Sequence, residues 1–373
     1  MRVENIPDDI HSGTATKRLE TALECLVTGD FRERWEATKQ LVDAGMPAIA
    51  RLAAFLQDED CDWELRWFAA RTLGKVNHPD ALKALIMFLQ QAQDLELVMI
   101  AAEGVKQFGE LGVDSLVELL DQPAYRLTGV QALASIQHSS VFAPLLTAAE
   151  DPDPLVRLTA LTALANFRHP KVDQLLLAAT KDPNTAVRRE AITYLGLRPH
   201  LLDQMNLVDD LLVGLWDIHP QINEVTAIAL GRLGTDTAIA TLARVLSSPH
   251  TPENLRSHII CALGWVEKES ALQALVAALH QPPTALQINV VETLARFQMP
   301  DLQQQAGDAL HDELNLNLQA TSKNGQLIAA IALALGTLQH QPAVPLLTSL
   351  MDSSDPQIQL YAEAALRQLA AAS

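Results

Sequence analysis

One internal repeat limits this chain to very few folds. An apolar residue at a start position is followed by small or apolar residues at +4 and +5, Leu at +8 and Gly or Ala at +9. Arg often stands at +1. The clearest copies are Leu65-Arg66, Ala69-Ala70, Leu73-Gly74 and Val187-Arg188, Ala191-Ile192, Leu195-Gly196. With weaker copies at Leu97, Tyr125, Val156, Leu286 and Ile358 and a degenerate one near Glu33, eleven copies start at residues 33, 65, 97, 125, 156, 187, 222, 255, 286, 327 and 358. Most spacings are 28 to 35 residues and one is 41. Positions 0, +4, +5 and +8 share one face of a helix. A short turn follows, as in Asn77-His78-Pro79-Asp80, and then a second apolar run such as Ala81–Leu89. An Asp/Pro turn such as Asp151-Pro152-Asp153-Pro154 closes the unit. Pro there ends one helix and begins the next at its first turn.

Each copy therefore encodes two helices, and one hairpin of that size cannot bury its own apolar stripe. Stacked hairpins bury it on each other. With layers ~8–10 Å apart, about eleven units predict an all-α rod on the order of 100 Å long. Composition agrees. Leu and Ala number 62 and 54, against 16 aromatic residues, which disfavours a β-sandwich or barrel. The expected division is an N-terminal segment with a capping helix over residues 1–31 and a solenoid over 32–373.

The formal charge of −18 argues against nucleic acid as a partner, since phosphate neutralisation needs a basic face, and equally against anionic lipid. The longest uncharged apolar stretch, Leu327–Leu338, is too short to span a bilayer, so no membrane insertion is expected. The polar, acidic N-terminus is no signal peptide. Cys25, Cys61 and Cys261 lie too far apart for a disulfide framework or a metal knuckle, which points to a reducing cytoplasm.

The copies Asp153–Leu161 and Asp182–Ala191 carry a family resemblance. They are similar to HEAT repeats, in particular to the short subtype of phycobilisome bilin-lyase-like proteins. The resemblance runs from about Arg32 to Leu369. It implies a right-handed α-solenoid superhelix of about 10–11 helix-turn-helix repeats. Proteins of this build include cyanobacterial bilin lyase subunits, a HEAT-repeat partner of an A-type iron–sulfur carrier, and plain scaffolds. Length and whole-chain repeat content look most like the carrier partner. The resemblance thus implies a cytoplasmic protein that binds another protein, an iron–sulfur carrier or an antenna protein. The alternative is a bilin lyase or isomerase subunit that attaches a tetrapyrrole to phycobiliprotein. No cofactor of its own is expected; a bilin or a cluster would come through the partner. In HEAT arrays, Arg34, Arg66, Arg126, Arg157, Arg188 and Arg256, each near an acid such as Asp62, Asp121, Asp153, Asp182 or Glu253, look like an inter-repeat ladder of charge-assisted hydrogen bonds. The column lapses at Gln287, Ile328 and Gln359.

Recognisable catalytic patterns are missing. There is no His-Glu dipeptide of the kind HEAT-type hydroxylases use for iron, no P-loop and no Ser-His-Asp pattern, so catalytic residues and metal ligands are both expected to be none. His78, His138, His169 and His340 share one turn position and read as turn chemistry. Cys261, inside the Ile259–Leu263 run, reads as a small core residue.

The unusual aromatics point to a binding surface. Trp265 stands ten residues into its repeat, where most copies have a polar residue, and Leu197 does so in repeat six. Trp216 stands where repeat five has Lys181, and Trp63 follows Asp62 in an inter-repeat turn. Trp is strongly enriched at binding hot spots. Repeat six also has a long inner turn, Arg198–Met205, which includes His200. Repeat nine is about ten residues longer than its neighbours, through Asp312–Gln319 to Gly325. Insertions of this kind often map to the binding face. Residues 270–373 hold 11 of the 72 charged residues, and depleted charge is a feature of interface cores.

Overall fold

The computed structural model describes residues 9–136, 138–202, 205–320 and 324–371, with side chains from residue 15 onward. Among these residues there are 22 α-helices, short 3-10 turns and no strand. The chain divides into two compact units, Met1–Leu175 and Leu176–Ser373.

Unit 1 contains α1 (Asp9–Thr28), α2 (Phe31–Ala44), α3 (Met46–Gln57), α4 (Trp63–Lys75), α5 (Pro79–Leu89), α6 (Leu95–Lys106), α7 (Glu110–Leu120), α8 (Arg126–Ser135), α9 (Phe142–Ala148) and α10 (Pro154–Leu164). The unit boundary falls within α11 (Pro170–Ala179). Unit 2 continues with α12 (Thr185–Leu195), α13 (Leu207–Leu212), α14 (Pro220–Leu233), α15 (Asp236–Ser247), α16 (Glu253–Gly264) and α17 (Glu269–Ala278). It ends with α18 (Thr284–Leu294), α19 (Pro300–Gln319), α20 (Gly325–Thr337), α21 (Val344–Leu350) and α22 (Pro356–Ala371).

The even-numbered helices are the first helices of the eleven repeats. In unit 1, α2, α4, α6, α8 and α10 pack one on the next, and α3, α5 and α7 form a second layer. In unit 2, α12 through α22 form the first layer in the same way, with α13, α15, α17 and α19 behind it. This two-layer stacking of hairpins is an all-α solenoid. The repeat positions form the core: Leu65, Ala69, Ala70 and Leu73 are all buried, as are Val187, Ala191, Ile192 and Leu195.

The Gly at +9 sets the spacing of the first layer. Gly74 lies inside α4, and a Cβ there would sit 2.3 Å from the Cα of Gly104 on α6. In unit 2, a Cβ on Gly231 would sit 2.7 Å from the Cβ of Ala262. At these two positions the small residue brings neighbouring backbones into contact, while Gly196 and Gly264 stand at the ends of α12 and α16.

Acidic and amide side chains start the first helices. Asp30, Asp62, Asp94, Asp153, Asn184 and Asn324 each accept a backbone N–H from the first turn of α2, α4, α6, α10, α12 and α20. These bonds satisfy donors that the helix itself leaves open.

The two long segments of the array take different forms. The extra residues of repeat nine are helical, extending α19 to 20 residues. Leu310 and Leu314 are fully buried at helical spacing, and no Gly or Pro interrupts the run 308–319. In the long turn of repeat six, Pro199–Leu201 form a 3-10 turn with Leu201 buried. Asp203, Gln204 and residues 321–323 lie outside the described residues. No helix among the described residues is long and apolar enough to cross a membrane.

Candidate interaction surface

The Arg column forms a ladder in part: Arg34, Arg126 and Arg188 each reach an acid one repeat further on, whereas Arg66 and Arg256 donate to backbone carbonyls. Arg34 Nη2 donates to Asp62 Oδ2 at 3.0 Å and its Nη1 to Glu64 at 3.0 Å. Arg126 pairs with Asp151 at 3.1 Å, and Arg188 with Asp217 at 2.9 Å. The same side chains cap the preceding second helix. Arg34 donates to Val27 O, Arg66 to Leu56 O and Arg126 to Leu120 O. A cation suits that helix end, where carbonyls lack partners and the dipole is negative. Gln287 and Gln359 keep this capping role without charge, donating to Leu279 O at 2.6 Å and to Met351 O at 3.1 Å. The Arg34 guanidinium, against the opposing effect of burial, holds the Asp62 carboxyl below the usual carboxylate range.

The turn histidines are helix caps. Nδ1 of His78 accepts the Asp80 amide at 3.2 Å, that of His138 the Ser140 amide at 3.2 Å and that of His169 the Lys171 amide at 3.1 Å. His340 differs: it is buried, and a Cβ on Gly307 would sit 2.4 Å from its Nδ1.

Among the described residues, no three of His, Cys, Asp and Glu converge as metal ligands. All three cysteines are free and half-buried, so Cys261 is not a full core residue although its neighbours Ile260 and Ala262 are buried. Burial and the nearby Asp58 carboxylate push the Cys61 thiol up.

The five residues singled out as contacts are all on the surface. Trp216 is 70 % exposed, Leu197 56 %, Trp265 55 % and Trp63 43 %, and His200 is exposed as well. They do not form one cluster. Trp63 lies in unit 1, as the first residue of α4 after its cap Asp62. In unit 2, Trp216 ends a 3-10 turn, Val213–Trp216, that finishes the second helix of repeat six. It thus lies at the edge where one repeat passes to the next. Leu197, His200 and Trp265 lie at the opposite edge, where first helices end. Helix α14, 14 residues long, connects those edges and spans about 21 Å.

The edge around Trp216 holds two apolar residues that the sequence reading missed. Val213 is 66 % exposed and Ile218 is 90 % exposed. Three large apolar side chains thus face solvent within six residues. The local signal was there: Ile218 interrupts the polar turn Asp217–His219. The backbone beneath them is fixed. Asp217 accepts Arg188 through both oxygens and the His219 amide at 2.9 Å. Asn223 Nδ2 donates to Gly214 O at 3.1 Å and Asp217 O at 2.9 Å. Burial alone would raise the Asp217 carboxyl, but the His219 amide and Arg188 outweigh it and hold the group below its usual range.

A second feature of unit 2 is a groove of about 550 Å³ over the first helices α18, α20 and α22, lined by Ile288, Ala295, Ala329, Leu333 and Tyr361 among others. It falls in the charge-poor third of the chain.

Solved structures with this fold include a crystal structure of importin beta, with a TM-score of 0.57 and 13 % identity over 95 % of this chain and 55 % of that one. The karyopherin Kap121p bound to the extreme C-terminus of the protein phosphatase Cdc14p gives a TM-score of 0.58 and 14 % identity, covering 98 % of this chain and 50 % of that one. Kap121p bound to Pho4p gives 0.57 and 13 %, covering 96 % and 49 %. The chain spans about half the length of these proteins, and at such identity the likeness concerns the fold alone. No curated protein sequence matches the chain. The family model for HEAT repeats matches residues 19–106, 113–201 and 208–295, well over half of the 373 residues. The chain is therefore a member of the HEAT-repeat family.

Proposed function

We propose that this protein is a non-catalytic scaffold of the cytoplasm that binds a partner protein, with Trp216 as an anchor. The observation that carries this reading is the cluster of Val213, Trp216 and Ile218 on a backbone held by the Arg188–Asp217 pair. An exposed apolar cluster on a rigid support is what a buried hot spot of an interface looks like before the partner arrives. Leu111 is equally exposed at 70 %, but no other large exposed apolar residue lies within ten positions of it.

For the partner we put an A-type iron–sulfur carrier first and a phycobiliprotein second; both rest on the resemblance of the repeats. Either would bring its own chromophore, so the visible spectrum of a captured complex separates them. The test is capture from a native lysate by the wild-type chain and by a W216A/I218S variant of unchanged helical content. The expected result is a partner present with the first and lost with the second. Equal capture by both would overturn the assignment of this edge.

A further inference from the structure

Unit 1 carries a cationic, aromatic site whose residues the repeat pattern does not require. On α4, Trp67, Arg71 and Lys75 follow one another at four-residue spacing and so share a face; on α2, Trp35 and Lys39 do the same. The Arg71 guanidinium carbon lies 4.6 Å from the Trp35 ring centroid and 5.2 Å from that of Trp67, and Lys75 Nζ lies 5.7 Å from Trp35. The indoles are held in turn by phenylalanines. Trp67 meets Phe68 edge-on at 5.1 Å, and Trp35 packs on Phe31 at 6.1 Å.

Arg71 makes no ion pair among the described residues, and its Nε is buried without a hydrogen-bond partner. Two aromatic faces attract a guanidinium but accept none of its N–H groups. The side chain as a whole is half-buried, so its Nε lacks an acceptor while the rest of the fork stays open to one. Beside it lies a cleft of about 200 Å³ between α4 and α6, lined by Arg71, Lys75, Ile100 and Glu103 and by Gly74 and Gly104. Glu103 is turned to Lys106 at 3.2 Å. Burial, then Arg71 and Lys39, push the Lys75 ammonium down. The whole chain carries −18, so this cluster of cations stands against the background.

We infer that the cleft beside Arg71 is a binding site for carboxylates of an acidic segment on a partner protein. The planar fork of Arg suits two-point capture of a carboxylate, and Lys75, which lines the cleft, adds charge beside it, whereas Lys39 further back is paired with Glu36 at 2.8 Å. The inference rests on the protein-binding reading above but concerns a different patch in a different unit.

The test is fluorescence anisotropy of a fluorescein-labelled hexaglutamate peptide with the full chain at low ionic strength. The expected result is saturable binding that weakens with added salt and falls about tenfold or more in R71Q, a loss of roughly 1.4 kcal/mol. Because Arg71 is stacked, R71Q could disturb folding; K39Q/K75Q, at two exposed positions, then gives the same answer and should weaken the peptide in the same direction. W216A should leave peptide binding unchanged. If W216A captures partner normally while hexaglutamate still depends on Arg71, the Trp216 assignment alone fails. No binding to the wild type, equal binding to R71Q and K39Q/K75Q, or tighter binding of a labelled hexathymidylate would overturn the inference.

Discussion

Arg188 grips Asp217 with both arms of its fork: Nε lies 2.9 Å from Oδ2 and Nη2 lies 3.1 Å from Oδ1. Its remaining arm donates to Asp182 O at 2.8 Å and Pro183 O at 3.1 Å. One side chain thus ties the start of one repeat to the start of the next, and both partners are largely shielded, at 10 % and 16 % exposure.

Replacing Asp217 by Asn should therefore cost about 1.5–3 kcal/mol at neutral pH. The folded carboxyl is held below its usual range. Its contribution is then complete above the unfolded value of about 3.9 and is lost as pH falls through the lower folded value. Urea melts of wild type and D217N should differ at pH 7 and converge in strong acid. A difference that persisted unchanged in acid would show that charge is not the source.

The histidine caps make a second expectation. Nδ1 of His138 accepts the Ser140 amide, so Asn, which offers an oxygen at similar reach, should substitute with little change. Ala should cost about 1 kcal/mol by leaving that donor open. His78 and His169 should behave alike. Thermal melts of the Asn and Ala series check this; equal loss in both would mean that the ring packs rather than caps.

How much of this was legible follows from what spacing can encode. Ten of the eleven starts fall on the even-numbered helices and the eleventh, Tyr125, is the N-cap of α8, because a 3.6-residue period is written locally. The acid that pairs with an Arg is not local. Asp182 precedes Arg188 in sequence, yet the side chain bonds to Asp217, because stacking sets one repeat's Arg beside the next repeat's turn. The extra length of repeat nine is visible in the sequence, but its form is not, because length alone cannot tell added turns of helix, as in 312–319, from a loop. Trp216 and Trp265 were close in repeat count, but one ends a second helix and the other a first helix, and antiparallel hairpins put those ends on opposite edges. Arg71 escaped notice because its two aromatic neighbours lie on different helices, Trp67 one turn away and Trp35 one repeat back.

His340 predicts a pH dependence of its own. Burial pushes this imidazole down, with Asp308, 3.6 Å away, opposing and the nearby His311 adding to the shift. An unfolded histidine titrates near about 6.5, so below that pH the unfolded chain takes up the proton first. Stability should then fall as pH drops below about 6.5 and level off once the folded value is passed. H340Q removes this proton uptake. Between pH of about 7.5 and 5.5 the wild type should lose more stability than H340Q in parallel urea melts. Identical slopes would place the titration elsewhere.

The last expectation concerns the tryptophans. Trp216 is 70 % exposed and Trp265 is 55 % exposed, whereas Phe68 is fully buried. Truncating Phe68 to Ala should cost about 3–5 kcal/mol, because a cavity remains where the ring was. Trp216→Ala leaves no such cavity and should move the melt by only about 0.5 kcal/mol. If Trp216 is an anchor, the same change should weaken the partner by about 2–4 kcal/mol. Trp265 lies on the other edge, about 20 Å across the repeats. Losses in binding from the two changes should therefore add, since sites that far apart share no contacts. A titration of each single variant and of the double variant decides. Non-additive losses would mean that one compact element of the partner touches both edges. No loss in W216A would remove the anchor and leave the groove lined by Leu333 and Tyr361 as the surface to mutate next.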